Sequence, residues 1–233
     1  MRMEYLEAEA TLAAAEQQAL AARDWDALSR LYMPLQEARR QRRQKCGEGI
    51  VCLDLLAEGP DDHLDARHVI EHYPHGQLLV AGWGSIEPAI KARELAAKHG
   101  LYVETYLAAV YPLAGGRAVV IMPLSDARLH DPTSQSPKQL LSGLPAHSIV
   151  MHETDLPRGP QKGSYQTFAR TMALWERLHT PFLTEADAQP DPIARIQAYR
   201  TTIRVDYACE LAHQKLSDVG RELGRGAILN TRC

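Results

Sequence analysis

The stretch "QLLVAGWGSIEPAIKARELAAKHG", residues 77–100, decides how the middle of this chain is read. It opens with a nearly continuous apolar run, the pattern of a strand buried on both faces. Gly82-Trp83-Gly84-Ser85 ends that run. Apolar residues then recur at helical spacing as far as Gly100, a residue suited to closing a helix. Strand, glycine turn and helix in direct succession form the repeating unit of a parallel sheet covered by helices.

The flanking segments repeat the pattern. "GIVCLDLLAEG" (49–59) reads as a strand and "PDDHLDARHVIEHY" (60–73) as a helix. "LYVETYLAAVYPL" (101–113) and "RAVVIMPL" (117–124) read as strands joined by Ala-Gly-Gly, a hairpin signal that places an antiparallel strand at one side. "AHSIVMHE" (146–153) is a further strand. The expected fold class is α/β: a mostly parallel, Rossmann-like sheet with helices on both faces, flanked by an N-terminal helical hairpin and a long C-terminal helix. The expected parts are residues 1–46, 47–160 and 161–233.

The hairpin is "EYLEAEATLAAAEQQALAA" followed, after the capping Asp24, by "WDALSRLYMPLQEARRQRRQK", with Trp25, Leu28, Leu31, Tyr32 and Leu35 at helical spacing. Pro34 is expected to kink or break the second helix. "ARDWDAL…LY" resembles a single tetratricopeptide-type helical pair; repeats of that kind need neighbours, so it is read only as a hairpin. Towards the C-terminus, Ser164 caps "YQTFARTMALWERLH", with Thr180-Pro181 as its expected end and Thr184 with Asp187 as the start of another helix. Asp191-Pro192 is expected to open one long helix reaching about Leu223. Its apolar stripe is Ile193, Ile196, Tyr199, Ile203, Tyr207, Leu211, Leu216, Val219 and Leu223. Such a helix would pair with the N-terminal hairpin or with a second copy of the chain.

The composition is that of an ordinary globular protein: 233 residues, 45% apolar and 24% charged, with a net charge of −3 that gives no global attraction to nucleic acid or an anionic membrane. The N-terminal residues carry acids and no apolar core of a signal peptide, and no apolar run approaches bilayer length. Cys46, Cys52, Cys209 and Cys233 show no metal-ligand spacing. A cytoplasmic protein with reduced thiols is expected.

Gly82, Trp83, Gly84 and Ser85 lie where a helix N-terminus can meet a phosphate, with Trp83 available to stack on a base or sugar and Ser85 to cap or donate. Glu104, 20 residues past Gly84, stands where a dinucleotide fold places a carboxylate on ribose hydroxyls. The third glycine of that fingerprint is missing, since position 87 is Glu. Strand, Gly-x-Gly-Ser and helix is also similar to the first loop of sugar-isomerase (SIS) domains, which implies a serine meeting a sugar phosphate. The likeness covers roughly 60 residues, and "SDARLHD" stands where that family's second serine-rich loop would follow.

In open α/β sheets ligands gather beyond the carboxyl ends of the strands. Four segments are expected there: Glu58 to Asp62, Trp83 to Ser85, the end of the 101–111 strand, and "HETDLPRGPQKGS" (152–164). The last offers Asp155, with Arg158 and Lys162 for a second anionic group, and His152 or Glu153 for proton transfer.

Asp65, His68 and His72 share a helix face at a spacing that suits a divalent ion, but on the outer side, so no native metal is expected. "EARRQRRQK" (37–45) has five basic residues in seven, which suit a helix C-terminus; nucleic acid is not expected as a partner. The leading functional expectation is binding, with possible turnover, of a phosphorylated small molecule or nucleotide. The alternative is a non-enzymatic helical platform that self-associates or binds a partner protein.

Overall fold

A computed structural model of the chain describes residues 5–113, 115–126, 129 and 136–230, apart from the side chains of Pro137 and of residues 226–230. In chain order it contains α1 (Tyr5–Ala22), α2 (Trp25–Glu48), β1 (Ile50–Leu56), α3 (Ala66–His72), β2 (Gly76–Trp83), α4 (Glu87–Lys98), β3 (Val103–Leu113) and β4 (Gly116–Met122). There follow α5 (Pro137–Gly143), β5 (Ile149–His152), a 3-10 turn (Glu153–Asp155), β6 (Gln161–Lys162), α6 (Tyr165–Asp187), α7 (Pro192–Val205) and α8 (Glu210–Asn230). Two compact units result: Gln44–Leu178, and Met1–Arg43 together with His179–Cys233. The division falls inside α2 and inside α6.

The first unit is α/β. Its six strands run in the order β5-β4-β3-β2-β1-β6. β1, β2 and β3 are mutually parallel, whereas β4, β5 and β6 each pair antiparallel with their neighbours. The sheet is therefore mixed, and the expectation of a mostly parallel one is corrected. The hairpin after β3 supplies the physical reason. Leu113 pairs with Gly116 across a two-residue connection, and Gly115 sits at φ +97°, a conformation open to glycine and costly for other residues. A chain reversed in so few residues can only return antiparallel.

The Rossmann-like expectation is corrected with it. A doubly wound sheet starts in the middle and reverses direction, leaving a crevice where the strand order switches. Here β1, β2 and β3 advance one way across the sheet. The two crossover helices α3 and α4 share one face, where Val69, Ile70, Ala89, Ala92 and Ala96 pack with Leu78, Val80, Leu107 and Val120. The first half of α6 covers the other face. There Tyr106 stacks on Trp175 at 4.3 Å and donates its hydroxyl to the Thr171 carbonyl at 2.7 Å. Helices on both faces are thus as expected.

The second unit is helical. Leu28, Tyr32 and Leu35 of α2 pack with Ile196, Tyr199 and Ile203 of α7 and with Leu216 and Val219 of α8. Of the two expected pairings for this apolar stripe, the N-terminal hairpin and a second copy, much of it makes the first, within the unit's own core. The expected single helix from Asp191 to Leu223 is in fact α7 and α8, broken at Asp206–Cys209. Asp206 competes with the helix for backbone groups: its carboxylate Oδ1 accepts from the Ala208 amide at 3.1 Å, and its carbonyl accepts from the Cys209 amide at 3.1 Å. Conversely, α6 runs through Pro181 to Asp187, where a stop had been expected, and α2 continues past Pro34. Among the described residues no helix is long and apolar enough to cross a membrane.

Candidate functional site

β1, β2, β3 and β5 all end at one edge of the sheet, and β4 begins there. The residue that joins these ends is Arg117, the second residue of β4. Its Nη1 donates to the Ala57 carbonyl just past β1 at 2.9 Å. Its Nε and Nη2 hold Glu153 Oε2, just past β5, at 2.7 and 2.5 Å. In a flat sheet β1 and β4 would lie about 14 Å apart, three strand spacings. One arginine side chain spans them only because the sheet curls at this edge. By strand alternation Arg117 points to the α6 face, as does Trp83 two strands away. The ion pair draws the Glu153 carboxyl below its usual range, by the Arg117 hydrogen bond first and against some desolvation. Glu153 therefore stands ionised.

The other expected site residues fall around this edge or away from it. His152 accepts the Thr154 amide at Nδ1 (3.3 Å), while the Asp155 carboxylate accepts the His152 amide (3.2 Å), so both cap the 3-10 turn. The Nε2 side of the His152 ring packs against Gly116, where an added Cβ would lie 2.6 Å from it. Gly82, Gly84 and Ser85 spend their amides internally: Gly84 on the Val110 carbonyl at 2.8 Å, and Gly82 and Ser85 on each other's carbonyls at 3.0 and 3.4 Å. The Ser85 hydroxyl accepts from the Glu87 amide at 3.2 Å, which leaves its own proton to donate.

Glu104 is the second residue of β3, not near its end. It is buried on the α6 face and takes the Gln77 amide at 2.6 Å, and Gln77 in turn accepts from the Thr171 hydroxyl at 2.8 Å. It therefore does not meet the glycine loop. Lys162 pairs with Ile50 at the start of β1, the opposite end from Ala57. Arg158 is exposed in a loop anchored by the Gly159 amide on Asp54 Oδ2 at 2.6 Å.

His68 and His72 are exposed with rings 4.8 Å apart, and Asp65 spends its carboxylate capping α3 through the Arg67 amide. The basic run of α2 turns inward. Arg39 and Arg42 bind Glu9 at 3.2 and 2.9 Å, and Arg43 binds Asp206 at 2.6 Å. Arg40, on the outer face, pairs with Glu37.

Asp206 lies at the centre of a buried polar cluster in the helical unit. Its Oδ2 also meets His179 Nδ1 at 2.6 Å. Burial works to lower the His179 pKa, but hydrogen bonds with Asp206 and Cys209 outweigh it and raise the value to about 9. His213 is the opposite case. Its Nδ1 meets the Cys209 carbonyl at 2.7 Å, so Nδ1 carries the proton and Nε2 accepts from Arg39 at 3.0 Å. Burial chiefly, with Arg39 adding to it, pushes His213 down to about 4.

No family model, curated protein or solved structure matches this chain.

The chemistry on offer is that of the groups themselves. The sheet edge presents one partly exposed arginine, an ionised carboxylate, an aromatic ring and a serine proton, which suits holding an anion beside an apolar or sugar moiety. Arg117 was missed in the sequence, where a lone cation after Gly-Gly carries no signal. The His179–Asp206–Cys209 cluster was missed because His179 lies within α6, far in sequence from Asp206 and Cys209 at the break between α7 and α8.

Proposed function

We propose that the α/β unit binds a small phosphorylated molecule at the curled carboxyl edge of its sheet. Arg117 holds the anionic group, Trp83 lies against the base or sugar, and Ser85 donates its hydroxyl proton. The observation that carries the reading is the reach of Arg117 from β4 to Ala57 and Glu153, on the same face as Trp83. Glu153 keeps the guanidinium oriented and is the group an incoming phosphate displaces or shares. The glycine loop serves as a rigid wall rather than a cradle, because its amides are already donated. The reading is one of binding, with His152 fixed in a turn and Glu153 too acidic for efficient proton transfer near neutral pH.

The test is calorimetric titration with inorganic phosphate, nucleotides and sugar phosphates. One phosphorylated class binds the wild type. Arg117→Gln weakens it about 10- to 100-fold, the worth of a charge-assisted hydrogen bond, and Glu153→Gln tightens it by freeing the guanidinium. A folded Arg117→Gln variant with every affinity unchanged overturns the reading.

A further inference from the structure

We propose that His179, Asp206 and Cys209 bind a zinc-class divalent metal ion within the helical unit. One nitrogen of His179, one carboxylate oxygen of Asp206 and the Cys209 sulfur all lie within 4.8 Å of one another. Around a tetrahedral zinc, ligands at about 2.0–2.3 Å stand roughly 3.3–3.8 Å apart. The three groups therefore surround an ion by side-chain movements of about 1 Å, the 2.6 Å contact between His179 and Asp206 opening to admit it.

The backbone holds two of them ready. Cys209 follows Asp206 by three residues across the break between α7 and α8, and its amide donates to the Asp206 carbonyl at 3.1 Å. Both donors are thereby fixed on one turn, facing His179 of α6. The Asp206 carboxylate is already divided. Its Oδ1 takes Arg43 Nη2 at 2.6 Å and the Ala208 amide at 3.1 Å, which leaves Oδ2, the oxygen now facing His179, for the metal. Outer partners of this kind orient a ligating carboxylate and raise affinity. Asp206 and Cys209 are buried, at 0% and 3% exposure, so an ion here is shielded from competing water.

The donor set selects the metal. Nitrogen, oxygen and sulfur together suit zinc and its borderline neighbours, whereas magnesium and calcium require oxygen alone. As the metal binds, the Cys209 thiol and the His179 imidazolium each release a proton to solvent, which frees the thiolate and a ring nitrogen to ligate. Carboxylate and thiolate then supply two negative charges against the dication, and Arg43 remains paired with Oδ1.

The experiment uses the full chain, stripped with chelator under reducing conditions and titrated with cobalt(II). One cobalt per chain is expected, with a near-ultraviolet sulfur-to-metal charge-transfer band and the strong visible bands of a four-coordinate ion, both abolished by one equivalent of zinc. Cys209→Ser removes the charge-transfer band and weakens zinc by more than about a hundredfold, since loss of an outer partner alone costs 10- to 100-fold. His68→Asn, on the exposed histidine pair, changes neither band nor stoichiometry. The proposal is overturned if the wild type shows no charge-transfer band, if the band survives in Cys209→Ser, or if binding is lost in His68→Asn. The wild-type spectrum decides the matter even should the Cys209 variant fail to fold.

Discussion

At the residue scale, Gly84 and Gly116 are held by different constraints. Gly84 sits at φ +58°, in the left-handed region, with its amide on Val110. A β-branched residue there is strained whatever binds nearby. Gly84→Val is expected to destabilise the chain by about 1–2 kcal/mol without ligand, read as a lowered melting temperature. Ser85→Ala removes the acceptor for the Glu87 amide and should cost up to about 1 kcal/mol. At Gly116, where φ is +158°, space adds to the backbone constraint: a Cβ would come within 2.6 Å of His152 Nε2. Gly116→Ala is expected to cost about 1–3 kcal/mol as an overpacking change and to shift the His152 ring resonances. Unchanged His152 signals would mean that the ring does not rest on this glycine. The sequence marked Gly84 by its turn context, but nothing in it marks Gly116 as a contact, because the clash is with a residue 36 positions later on another strand.

At the scale of elements, periodicity found most helices and strands, and it failed where side chains override it. The stripe from Ile193 to Leu223 is helical throughout, yet the helix breaks because Asp206 turns its own oxygens onto the Ala208 and Cys209 amides. That competition is invisible to apolar spacing. Pro181 misled in the other direction, since α6 continues through it to Leu183 and Ala186, both buried in the helical core. The basic run of α2 illustrates a third limit. Residues 39, 42 and 43 share one helix face, which reads equally as a solvated patch or as an inward one; only Glu9 on α1 and Asp206 after α7 decide it. Arg43→Met leaves the buried Asp206 carboxylate without one of its two cations and should cost roughly 3–5 kcal/mol. Arg40→Met, on the exposed pair with Glu37, should cost less than about 1 kcal/mol. Urea unfolding of the two variants distinguishes them, and equal costs would refute an inward-facing basic run.

At the scale of the whole molecule, the α/β class and the helical flanks were legible, whereas the strand order was not. Local patterns state what each segment is and say nothing of which way the sheet grows, so the one-directional β1-β2-β3 advance and the curled edge bridged by Arg117 appear only in three dimensions. Long-range polar pairing has the same character and gives the molecule a predictable response to acid. His213 is fully buried and neutral, with Nε2 facing Arg39, and its pKa is lowered to about 4. In the unfolded chain the imidazole protonates near 6.5. Between those values the unfolded state binds a proton that the folded state refuses, so the contribution of His213 to stability is complete above pH 6.5 and falls as pH drops towards 4. Over the two pH units from 6.5 to 4.5 the loss is on the order of 2–3 kcal/mol. His213→Gln keeps an acceptor for Arg39 but cannot titrate. Its unfolding midpoint should be lower than that of the wild type at pH 7, and its decline towards pH 4.5 should be shallower by about that amount. Parallel declines would show that His213 takes up its proton without unfolding, and that the Arg39 contact tolerates the added charge.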